Sequence, residues 1–273
     1  MKLLKNSGLP IYLNEDNGRL LFEAPLKFDG FSTKYLKQMD GLFVDNSQNS
    51  PDEEIYDVYR DIVYDKDRQI YTDHEIRYDI TVVKPGLIGD ERKKTSGHYH
   101  QWNIARTYSY PEVYEVISGT AIYVLQRADN FETKNLDDLD VEDIIVVKVE
   151  AGQSIIVPPN YGHGSINAGD GDLVFSNLAY IPCKVFYEPV QYYHGLAAFI
   201  KEIDEKIVAE PNGNHAKLPK IRYATPKENE ELGIKFNAPV YNEFVKNPEK
   251  YSYLGNVDPY VDEIMSMFNF KEE

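Results

Sequence analysis

Cysteine is almost absent from this chain: Cys183 stands alone among 273 residues. An intrachain disulfide framework is therefore excluded, and the fold cannot depend on an oxidising compartment. No run of about 18 apolar residues occurs, so no membrane span is expected. The amino-terminal stretch Met1-Lys-Leu-Leu-Lys-Asn6 has no apolar segment of signal-peptide length. Basic side chains are few beside acidic ones, 29 against 45, which leaves a formal charge of −16. Phosphate-backbone recognition needs clustered Lys and Arg, so a nucleic-acid partner is not expected, and an anionic membrane surface would be repelled. A small anionic ligand is not excluded, because it responds to its own site more than to the whole molecule. The expectation is a soluble, cytoplasmic protein.

Apolar content is ordinary at 42%, enough for a sizeable core. The 22 tyrosines fit half-buried strand surfaces. Strand-like runs fill the first two-thirds: residues 55–64, 77–83, 113–117, 121–126, 143–149, 154–157 and 173–175 are β-branched or aromatic and broken by Gly, Pro, Asn and Asp. Ile117-Ser-Gly-Thr-Ala121 reads as a tight turn between two strands. Helices are expected at Ser32–Gly41, Leu196–Asp204 and Pro259–Phe268, and surface loops at 46–54 and 210–214. The layout is an N-terminal arm (1–60), a β core (61–190) and a mixed, partly helical C-terminal extension (191–273). Many short strands and few helices favour an antiparallel sandwich or barrel.

Histidine is scarce, six in all, yet two lie in Thr95-Ser-Gly-His-Tyr-His100. Strand residues two apart share a face, so His98 and His100 present both imidazoles to one side, a pairing that suits a divalent transition metal. Alone, His-x-His is a weak signal that also occurs on plain surfaces. Further along come Pro111–Gly119, carrying Glu112, and Gly152–Asn167, carrying His163.

Together these segments resemble the two signature motifs of the cupin superfamily, whose fold is an all-β double-stranded β-helix, or jelly-roll, barrel. In that motif six residues separate the carboxylate from a Gly, which matches Glu112 and Gly119 and passes over Glu115. Strand alternation independently turns Glu115 to the opposite face. The implied metal ligands are His98, His100, Glu112 and His163. Two departures stand out: eleven residues separate His100 from Glu112, which implies a long loop beside the site, and Asn160 replaces a customary Gly, which its tolerance of positive φ permits.

The stretch from Thr81 through Pro85-Gly86 and Gly89 to His100 is similar to that of the cupin-type glucose-6-phosphate isomerases. Residues 36–45 and Val157–His163 carry the same likeness. The resemblance implies a homodimer that interconverts glucose 6-phosphate and fructose 6-phosphate with one divalent ion per subunit, Fe2+ first, with Ni2+, Mn2+ or Zn2+ also compatible. It assigns Glu112 as ligand and proton shuttle, and Thr81, Thr95, Gly97 and Tyr187 as phosphate contacts. Strand alternation turns Tyr114, two residues beyond Glu112, to the same face, as a second candidate catalytic residue with a polar or proton-relaying role. An iron-dependent cupin dioxygenase and a non-catalytic sugar-phosphate-binding cupin are the alternatives. Val185 occupies the place of a family histidine, and His194 is a candidate to replace it. The basic run Arg92-Lys93-Lys94 reads as a solvated turn, and His74 and His215 as surface residues.

Overall fold

In a computed structural model, which describes residues 1–271, two sheets face one another across an apolar interior. Eleven strands build them: β1 Gly30–Tyr35, β2 Glu54–Arg60, β3 Ile76–Val83, β4 Glu112–Ser118, β5 Thr120–Arg127, β6 Asp143–Glu150, β7 Ser154–Val157, β8 Tyr161–Asn167, β9 Leu173–Tyr180, β10 Ile221–Pro226 and β11 Phe268–Phe270. One sheet has the order β7-β4-β9-β3-β2-β1 and the other β8-β5-β6-β10-β11. Pairing is antiparallel except between β6 and β10. The strands expected from alternation are present and lie in this frame, except that the run at 55–64 stops at Arg60, where Asp61 takes φ +54°.

The turn at Gly119, with φ +89°, joins β4 to β5, but these strands belong to different sheets. It is a sheet-crossing corner rather than a hairpin. This crossing puts Glu112 and Tyr114 on one wall of the barrel while His163, on β8, faces them from the other.

Three expected helices are revised. Residues 30–35 form an edge strand, followed by a single 3-10 turn at Leu36–Met39. The buried Leu36 and Met39 are three apart, a spacing that one tight turn satisfies without an α-helix. Leu196–Asp204 contains a strand, Ala198–Ile203, paired with Lys206–Pro211. Asp204 and Glu205 both take positive φ, +50° and +61°, and so form a two-residue hairpin turn without the usual Asn-Gly signal. The last helix is shorter than expected: a 3-10 turn at Asp258–Tyr260 and a helix at Val261–Met265 precede β11. Glu272 and Glu273, which end the C-terminal extension, lie outside the described residues.

Glu115 points away from the barrel interior, as alternation requires. It is buried against the helix Val240–Lys246, where its carboxylate accepts hydrogen bonds from the Val240 amide (3.2 Å) and the Ser176 hydroxyl (3.3 Å). Burial pushes its pKa up to about 8. A carboxyl raised on folding contributes stability that is complete below its unfolded pKa of roughly 4.3 and is lost as pH climbs through 8. Glu115→Gln keeps an acceptor without the charge. It is expected to raise Tm by several degrees over wild type at pH 9 and to change it little at pH 5; thermal scans at both pH values check this.

Candidate active site and metal centre

Four side chains converge at the base of one cavity. Ligand atoms of His98, His100, Glu112 and His163 all lie within 4.8 Å of one another. His98 and His163 are neighbours in an isolated antiparallel bridge, and the amide of each donates to the carbonyl of the other at 3.1 and 2.9 Å. Gly162 is demanded by close packing beside this bridge, since a Cβ there would sit 2.5 Å from the Tyr99 ring.

The donor set can be read from its outer partners. His100 Nδ1 lies 2.9 Å from the Tyr110 carbonyl and His163 Nδ1 3.3 Å from the Tyr161 carbonyl. A carbonyl only accepts, so Nδ1 carries the proton in both and each Nε2 presents a lone pair inward. Those two Nε2 atoms each approach Glu112 Oε2 at 3.3 Å, and His98 Nε2 approaches His100 Nε2 at 3.2 Å. Acceptors brought together in this way are satisfied by a cation. Neighbouring donors about 2.0–2.2 Å from a common ion stand about 3.0–3.5 Å apart, so the arrangement fits a divalent metal. Asn177 Nδ2 donates to Glu112 Oε1 at 2.8 Å, and the Tyr114 hydroxyl donates to Oε2 at 2.8 Å.

The electrostatics agree. Burial, reinforced by the two neighbouring imidazoles, holds His98 well below the usual histidine range, and burial lowers His163. Burial opposes the Glu112 charge, but the His100 and His163 rings facing it, which in the metal-free site can take a second proton on Nε2, outweigh burial and keep this carboxyl well below its usual range. Burial also acts against His100, yet the Glu112 contact raises it, so a proton and a metal compete for the same nitrogen. Burial, then Glu112, raises Tyr114 well above an ordinary phenol, which keeps its hydroxyl a donor.

Above the cluster the cavity encloses about 300 Å³. Thr81, Thr95, Gly97, Tyr114 and Tyr187 all line it, so the residues singled out in the sequence come together. Thr95 Oγ1 accepts the Ser165 amide at 3.0 Å, leaving its own proton directed elsewhere, and the Tyr187 ring stands 5.6 Å from His98. Gly97 has φ +76°, and a Cβ there would press on the His163 carbonyl at 3.3 Å.

The two departures from the cupin motif prove to be one device. The long loop folds back on itself, with Trp102 bridging Ser109. Asn160, at φ +67°, accepts the Ser109 amide on its side chain (2.8 Å) while its own amide donates to Ser109 Oγ (2.6 Å). This reciprocal clasp fixes the segment whose next residue, Tyr110, orients His100. At the loop's far end Asp258, from the C-terminal extension, accepts hydrogen bonds from Asn103 and Thr107.

Other expectations are corrected. Arg92, Lys93 and Lys94 are buried rather than solvated: they pair with Glu202, Glu53 and Glu91, none of which lines the cavity. His194 does not replace the missing histidine, because it faces a separate hollow with Gly41 and Asn212. His215 is buried and stacked on Tyr193 at 3.8 Å rather than lying at the surface. Val185 sits at the cavity rim beside His100, and among the described residues no imidazole outside the four-residue cluster lines the cavity. Sequence reasoning missed Tyr56, Arg60, Arg77, Asp79, Ser96 and Asn177, all of which line it. Alternation held the signal for some of them, since Arg77 and Asp79 share the face of Thr81 on β3.

Facing sheets around three imidazoles and a carboxylate define a cupin barrel with a metal-competent centre. A family model described as glucose-6-phosphate isomerase (GPI) matches residues 34–216, and the chain belongs to that family. The glucose-6-phosphate isomerases of Thermococcus litoralis and Pyrococcus furiosus are each 27% identical over 187 residues, covering 67% of this chain and 82% of the relative. The matched region contains the whole ligand cluster but stops before Asp258 and the strands β10 and β11.

Proposed function

We propose that this chain is a metal-dependent aldose–ketose isomerase that interconverts glucose 6-phosphate and fructose 6-phosphate in the cytoplasm. The observation that carries the reading is the convergence of His98, His100, Glu112 and His163 at the base of a cavity of about 300 Å³, in a chain of this family. A divalent ion held by those four residues would supply Lewis acidity to the carbonyl and hydroxyl oxygens of the sugar. We assign Fe2+ first; three imidazoles and a carboxylate also accommodate Ni2+, Mn2+ or Zn2+.

The chain's own groups then have distinct tasks. Glu112 moves the proton between the two sugar carbons, its Oε1 held by Asn177 and its Oε2 by Tyr114. Tyr114 also reaches His163 Nε2 at 3.2 Å, which makes it the link between the base and the ligand set. Thr81, Thr95, the Gly97 backbone and Tyr187 take the phosphate as short polar donors. Tyr56, hydrogen-bonded to Ser96 at 3.2 Å, closes the wall between them. The open edge at β1, with Phe31 half-exposed, supports a homodimer in keeping with the family resemblance.

The test is an assay of the metal-loaded protein with glucose 6-phosphate, in which fructose 6-phosphate is identified as the product. Side-by-side runs with mannose 6-phosphate define the C2 specificity. Absence of turnover with every hexose 6-phosphate rules out the isomerase reading.

A further inference from the structure

A sugar-phosphate dianion entering a protein of charge −16 needs positive charge close to its phosphate. The basic run at Arg92–Lys94 cannot provide it, being paired with acids elsewhere. Arg60 and Arg77 are the lysine or arginine residues among the described lining of the cavity. They meet on Asp79, whose side chain is almost fully buried. Alternation places all three: Tyr56, Val58 and Arg60 face inward from β2, and Arg77, Asp79 and Thr81 from β3.

The two arginines are held differently. Arg77 Nε donates to both Asp79 oxygens at 2.9 and 3.0 Å, so its charge is matched to that carboxylate, which also accepts the Asp61 amide at 2.8 Å. Arg60 reaches Asp79 through one Nη at 3.3 Å, with its side chain 48% exposed. Two guanidinium groups on one carboxylate leave a net positive charge, and the looser arginine is the one able to turn toward a ligand. Its charge is felt in the cavity: burial raises the Tyr56 and Tyr187 hydroxyls, and Arg60 works against that rise at both.

We propose that Arg60, tethered at the cavity mouth by the Asp79–Arg77 pair, is a guanidinium clamp for the substrate's phosphate. This rests on the isomerase reading and adds to it the cation that the short polar donors lack. A guanidinium fork matches two phosphate oxygens at once, which an ammonium does not. Asp79 keeps the fork over the cavity, and Arg77 neutralises Asp79 so that the charge of Arg60 is left for the ligand.

The experiment compares metal-loaded wild type, Arg60→Met and Arg60→Lys. It measures KM and kcat with glucose 6-phosphate and, by calorimetry, the affinity for inorganic phosphate. A hydrogen bond to a charged group contributes roughly 10-fold to 100-fold in binding. Arg60→Met is expected to raise KM and weaken phosphate binding by about that factor, with kcat within about 3-fold of wild type; Arg60→Lys falls between. A KM and a phosphate affinity both within twofold of wild type overturn the clamp, as does a loss confined to kcat. If Arg60→Met does not fold, the same readings on Arg60→Lys decide. Wild type that turns over no hexose phosphate but loses phosphate binding on substitution keeps the clamp and removes the isomerase reading. Wild type that isomerises and is matched by both variants does the reverse, and wild type that neither isomerises nor binds phosphate removes both.

Discussion

Glu112→Gln is expected to lower kcat for hexose 6-phosphate isomerisation by roughly 10²–10⁴-fold, the usual contribution of a positioned proton-transfer group. The substitution keeps the shape of the side chain and an oxygen that can accept from Asn177. It removes the charge that faces His100 and His163 and one anionic metal ligand. Metal affinity should therefore fall as well, by more than the roughly 10–100-fold that loss of an outer-shell partner costs. Asn177→Ala provides the comparison, since its side chain donates to Glu112 Oε1 from outside the ligand set, and it should stay within that smaller range. Metal content after dialysis and kcat at saturating metal separate the two effects. Wild-type kcat in metal-saturated Glu112→Gln would remove Glu112 from proton transfer and leave it a ligand only.

Asp57→Ala carries the largest expected effect on stability. Asp57 is fully buried on β2 and collects Lys84 at 2.8 Å, the Thr33 hydroxyl at 2.7 Å, and Arg19 from a hairpin that pairs Ile11–Asn14 with Arg19–Phe22. Lys84 is itself buried and also donates to the Gly18 carbonyl at 2.9 Å. Removing one partner of a buried pair leaves the other charge uncompensated, at a cost of about 3–5 kcal/mol. At roughly 2–4 °C per kcal/mol for a chain of this size, Tm should fall by about 10 °C. Asp57→Ala combined with Lys84→Met should recover part of the loss, because the stranded charge is then gone. Equal destabilisation in the single and double variants would show that the stranded ammonium is not the cause.

How far the sequence foretold this molecule depended on how local each signal was. Strands of the barrel were legible because alternation and β-branching at 77–83, 143–149 and 154–157 act within the segment itself. The metal ligands were legible through the resemblance to the two cupin motifs, with which the shared strand face of His98 and His100 and the inward parity of Glu112, not Glu115, agree. The hairpin at 198–211 was misread as a helix because Asp204 and Glu205 adopt positive φ without Asn or Gly to announce it. Arg92–Lys94 were misread because three basic residues in a row look solvated until Glu53, Glu91 and Glu202, distant in part along the chain, are folded against them. The clasp between Asn160 and Ser109 spans 51 residues, and the contacts of Asp258 with Asn103 and Thr107 span more than 150, beyond the reach of any local pattern. The phosphate-end arginine was hidden for a milder reason: Arg60 has the same inward parity as Tyr56, and nothing in β2 alone marks which face is the cavity.

The measurement closest to the central claim follows fructose 6-phosphate formation from glucose 6-phosphate by one preparation in three states: as purified, after complete chelation, and after return of a single divalent cation. The site built from His98, His100, Glu112 and His163 predicts that activity disappears with the metal and returns with stoichiometric Fe2+ or another ion of that class. Undiminished activity in protein verified to be metal-free would contradict it.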